Sequence, residues 1–71
     1  MLENKIKRLI EDLRVENAEA YRKIDKLAWK IQEDVEVESY VACAEKSQQI
    51  KDIAQKVQNN VVQIDQYERL I

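Results

Sequence analysis

Glu33-Asp34-Val35-Glu36-Val37-Glu38 is the stretch that decides whether this chain is a rod or a hairpin. It holds four acids and two β-branched residues. The usual turn residues Gly, Pro and Asn are missing from it, so as a turn it is atypical. Its flanking charges nonetheless suit a break between helices: Lys26 and Lys30 before it suit a helix C-terminus. Glu36 and Glu38, followed by Ser39 as a cap, suit the start of another helix.

Upstream of this stretch, Ile10, Asn17, Ile24 and Ile31 form one column of a seven-residue repeat. Ile6, Leu13, Ala20 and Leu27 form the other. Spacing that alternates four and three is the mark of an amphipathic helix, predicted here from Leu2 to Gln32. Leu2 and Leu9 widen the stripe on one flank, and Tyr21 and Ala28 on the other. A parallel two-stranded zipper carries complementary charges at those flanks, and none pair here. A stripe this wide belongs to a helix with several neighbours, as in a bundle.

Downstream, a second helix is predicted from Ser39 to Ile71. Cys43, Ile50, Val57, Ile64 and Ile71 form one column, and Tyr40, Ser47, Ala54, Val61 and Glu68 the other. Ile53 and Tyr67 lie on its flank, and Ala44, Ser47 and Ala54 leave room for another backbone. Relative to the first repeat, the second is displaced by two residues, about 200° of rotation at 100° per residue. A straight helix, about 105 Å long at 1.5 Å per residue, would carry its two stripes on opposite sides. A chain that turns back brings both onto one core.

The fold expected is therefore all-α. A single helical domain, 1–71, forms an antiparallel hairpin of helix 2–32, acidic connection 33–38 and helix 39–71. Two hairpins dimerise into a four-helix bundle, the alternative being a long continuous-helix coiled coil. In the hairpin, facing positions should sum to about 71, placing Asn17 against Ala54, Ala20 against Ile50, Ile24 against Ser47 and Ile10 against Val61. A chain of this size buries only about 60% of its unfolded surface, and oligomerisation is the natural supplement.

Composition removes most chemistries. The 71 residues include no Gly, Pro, His or Phe. Without Gly there is no phosphate-cradling loop, and without His the commonest base and metal ligand is gone. The lone Cys43 cannot form an internal disulfide, and its place in an apolar column reads as a small buried hydrophobe. No enzyme, cofactor or metal site is expected. The acidic stretch does not match a calcium loop, which needs Gly at its sharp turn. The longest apolar run, Tyr40 to Ala44, is far short of a membrane span. With a free Cys and no glycosylation sequon, the setting expected is cytoplasmic, with no membrane partner.

Asn17 interrupts its apolar column and reads as a register- and oligomer-specifying residue; a ligand contact is disfavoured, because no second polar group is expected in its layer. On that reading Asn17→Leu raises the melting temperature and loosens oligomer specificity. Trp29 falls on the outer face near Asp25, Lys26, Gln32 and Glu33. It either anchors a partner or, the preferred reading, folds over the connection onto Val35 or Val37. Arg22, Lys23, Lys26 and Lys30 make a local basic cluster, interleaved with Tyr21 and Trp29. The interaction residues are taken as Trp29, Arg22, Lys26, Lys30 and Tyr21.

The function expected is protein–protein association through amphipathic helices, as an adaptor, scaffold or small inhibitor, with itself or another helical protein as partner. A dimer of short hairpins is similar in architecture to the small Rop-type RNA-binding regulators, though no sequence motif supports the likeness. That alternative would use the Arg22/Lys26/Trp29 face, against a net charge of −2 that makes nucleic acid an unfavoured partner. A further alternative is one strand of a hetero-oligomeric coiled coil.

Overall fold

The computed structural model describes residues 1–71 and contains two helices, α1 Leu2–Glu36 and α2 Tyr40–Glu68. They pack against each other as a hairpin, so the continuous rod is excluded. There is no strand. The Cα extents are 55 × 15 × 11 Å.

The connection is shorter than the acidic stretch suggests. α1 runs on through Glu33, Asp34, Val35 and Glu36, residues expected to lie outside it. Nothing in that sequence opposes helix: Glu33 and Glu36 are exposed, Asp34 is paired with Lys46, and no proline blocks the next hydrogen bond. The turn is confined to Val37, Glu38 and Ser39. Ser39 N–H donates to Asp34 O (2.7 Å) and Glu38 N–H donates to Val35 O (3.0 Å). These two bonds are the Schellman pattern, which requires a left-handed residue after the helix end. Glu38 takes that role, with φ 59°. Ser39 does stand at the N-cap of α2, but its side chain makes no capping bond.

Moving the turn toward the C-terminus moves the register. A turn centred on Glu38, rather than midway through the acidic stretch, pairs positions whose numbers sum to 77, as in Asn17 with Asn60. Asn17 does not face Ala54, and the other three pairings expected shift with it. In the observed register Ala20 lies level with Val57 and Ile24 with Ile53.

Both columns expected on α1 face α2: every one of the eight residues is buried or partly buried. On α2 only the Cys43, Ile50, Val57, Ile64 column does so, while Ile71 at its end is exposed. Its companion is Lys46, Ile53, Asn60 and Tyr67, three or four residues from each neighbour in the first column. The Tyr40, Ser47, Ala54, Val61, Glu68 column is exposed. Lys46 and Asn60 disguised the true column by being polar. Lys46 pairs with Asp34 beside the turn, both side chains mostly buried. Next to them the Cys43 thiol donates to Ile31 O at 3.7 Å.

Candidate functional site

The centre of the hairpin is polar. Asn17 and Asn60 are each only 6% exposed. Asn60 Nδ2 donates to Asn17 Oδ1 at 2.9 Å and to Glu16 Oε1 at 3.3 Å. Lys56 Nζ reaches the same Glu16 oxygen at 3.1 Å. The Asn60 amide, and then the Lys56 ammonium, hold the Glu16 carboxyl below the usual glutamate range. No buried side-chain polar atom lacks a partner. Asn17 therefore shares its layer with a second polar residue, contrary to expectation. Asn60 falls outside the column chosen for α2; its place three residues after Val57 and four before Ile64, both in the apolar column, was the available signal.

Ion pairs identify the two sides of the hairpin. Arg14 Nη2 donates to Glu68 Oε1 (3.1 Å) on one side, and Lys56 pairs with Glu16 on the other. Stepping by seven from Arg14 gives Tyr21, Ala28 and Val35. Stepping back by seven from Glu68 gives Val61, Ala54 and Ser47. All six are exposed. The Arg14–Glu68 side thus carries an apolar strip on both helices, ending in one cation and one anion. On the Glu16–Lys56 side the same stepping gives exposed Leu2 and Leu9 near the N-terminus, then Lys23 and Lys30, on α1, and Gln49 and Gln63 on α2. From Glu16 to the turn that side is polar.

The five interaction residues expected from sequence do not form one patch. Arg22, Lys26 and Trp29 lie within about 60° of one another around α1, facing away from α2. Tyr21 is about 100° from Arg22 on the apolar side, and Lys30 about 80° from it on the polar side. Trp29 is 69% exposed and sits in a shallow depression with Asp25, Ala28 and Gln32 of its own helix. Val35 and Val37 are also exposed, so Trp29 does not fold over the connection. Lys23, Lys26 and Lys30 share a second depression with Leu27, Gln49 and Ile53. None of Arg22, Lys23, Lys26 or Lys30 takes part in an ion pair.

No group of three His, Cys, Asp or Glu is placed to hold a metal ion. No helix is long and apolar enough to cross a membrane. No protein-family model matches the chain, and neither does any curated protein or solved structure.

Proposed function

We propose that this chain is a self-associating helical module: two hairpins join as a homodimeric four-helix bundle that serves protein–protein association. One observation carries the reading. The lone hairpin exposes 5808 Å², whereas a compact chain of its mass exposes about 4,600 Å². The excess of about 1,200 Å² is at least what each partner contributes to a standard interface, about 800 Å². Its interior agrees: no side chain is fully buried, and only Ile6, Ile10 and Val57 form a buried apolar core. Sedimentation equilibrium at micromolar concentration should give twice the chain mass. A folded monomer would overturn the proposal, and a chain unfolded alone would favour a hetero-oligomeric partner helix.

The unpaired Arg22, Lys23, Lys26 and Lys30 support a second reading, binding of a polyanion such as RNA along α1. Filter binding at low salt tests it. Retention that falls steeply with added salt supports it, and no retention at low salt removes it.

A further inference from the structure

We infer that the second copy docks on the Arg14–Glu68 side, with a two-fold axis parallel to the helices, so that α1 of each hairpin lies on α2 of the other. This rests on the association reading above and adds the face and the symmetry to it. Three observations select the arrangement.

The first is chemical contrast between the two sides. Tyr21, Ala28 and Val35 on α1, with Ser47, Ala54 and Val61 on α2, are exposed along one side over several turns. Over those same turns the opposite side presents Glu16, Lys23, Lys30 and Lys56, its exposed Leu2 and Leu9 lying nearer the N-terminus. Burying the first removes apolar surface from water; burying the second desolvates charges.

The second is shape. Ala28 and Ala54 stand near the middle of the strip, where a small side chain lets two helix backbones approach. The larger Tyr21 and Val61 stand at one end and Val35, with the small Ser47, at the other, so the strip is narrowest at Ala28 and Ala54.

The third is charge complementarity, and it fixes the axis. With the axis along the helices, the levels of the two copies coincide. Arg14 of each copy then sits over Glu68 of the other, and the existing pair at 3.1 Å becomes half of a ring of four alternating charges. With the axis across the helices, the levels are reversed. α1 lies on α1, Arg14 falls at the level of the other copy's Val35, and the ring cannot form. That second arrangement leaves the guanidinium against an apolar group and gives neither charge a new partner, which is the less favourable choice.

The test uses the full chain with Cys43→Ala, carrying either Ala28→Cys or Ala54→Cys, one of the two isotopically heavy. A disulfide needs Cα atoms closer than about 7 Å, so only facing positions cross-link readily. The expected result is a cross-linked heterodimer when the two variants are mixed and oxidised, and little cross-linking of either alone. Independently, Arg14→Glu should weaken dimerisation by about tenfold or more, and adding Glu68→Arg should restore it. In the across-axis arrangement Ala28 lies level with the other copy's Tyr21, so efficient cross-linking of Ala28→Cys with Tyr21→Cys, in a chain that sediments as a dimer, overturns the axis and leaves the association reading standing. A dimer in which no pair cross-links overturns the face. A folded monomer by sedimentation overturns both.

Discussion

Glu38 occupies a backbone position that favours glycine, in a chain that has none. A left-handed residue carrying a Cβ costs roughly 1–2 kcal/mol, and the Schellman bonds from Glu38 and Ser39 hold it there. Glu38→Gly removes that cost but adds unfolded-state entropy worth about 0.5–1 kcal/mol. The expected net is a stabilisation of about 0.5–1 kcal/mol, read as a higher urea midpoint at fixed protein concentration. The second telling residue is Asn17. Because Asn60 donates to it, Asn17→Leu alone takes an acceptor from a buried amide. That should lower stability by about 1 kcal/mol, the reverse of what an isolated Asn in an apolar column would give. Replacing both, as Asn17→Leu with Asn60→Leu, should raise the urea midpoint above wild type. The same double variant should multiply the amide resonances, because nothing then fixes the helix register.

The helices were legible to different depths. α1 was read to its full inner face, because seven of its eight column residues are apolar and their spacing admits one period. Its end was misplaced by four residues, since acids and valines at a helix C-terminus resemble a connection while being compatible with helix. α2 was read to one column of two. Lys46 and Asn60 face inward because Asp34 and Asn17 wait for them across the interface, and a partner on the other helix leaves no mark on the periodicity of its own. The apolar residues left over, Ala54 and Val61 among them, then passed for the missing column. Their exposure in the hairpin is what makes them informative about association. The two helices are also joined by Glu16, which accepts from both Asn60 and Lys56 of α2. Its lowered pKa means that the folded state prefers the ionised form. The resulting stability is fully present above the ordinary glutamate pKa of about 4.3 and is lost as pH falls through the lowered value. Glu16→Gln keeps an acceptor for Asn60 and cannot titrate. Between pH 5 and pH 3 the variant should therefore lose less stability than wild type, measured as the change in urea midpoint. An equal loss in both proteins would mean that Glu16 contributes nothing to acid sensitivity.

At the scale of the molecule, the hairpin is too thin to be its own core. Its radius of gyration is 16.3 Å, against about 11 Å for a compact chain of 71 residues. Two helices touching along one seam can bury only the residues on that seam, and here the seam is interrupted midway by the Asn17–Asn60 pair and near the turn by Asp34–Lys46. A second hairpin on the Arg14–Glu68 side would cover the remaining apolar strip and thicken the molecule without lengthening it. Folding and association then become one equilibrium, because the monomer lacks the burial to outweigh its conformational entropy. Each tenfold rise in concentration should then contribute about 1.4 kcal/mol per dimer. For roughly twice 71 residues unfolding together, that is a rise in melting temperature of about 5 °C per decade. Circular dichroism melts across two decades of concentration measure it directly. A melting temperature independent of concentration would mean that the hairpin is stable by itself, and that Tyr21, Val35 and Val61 are exposed for some other partner.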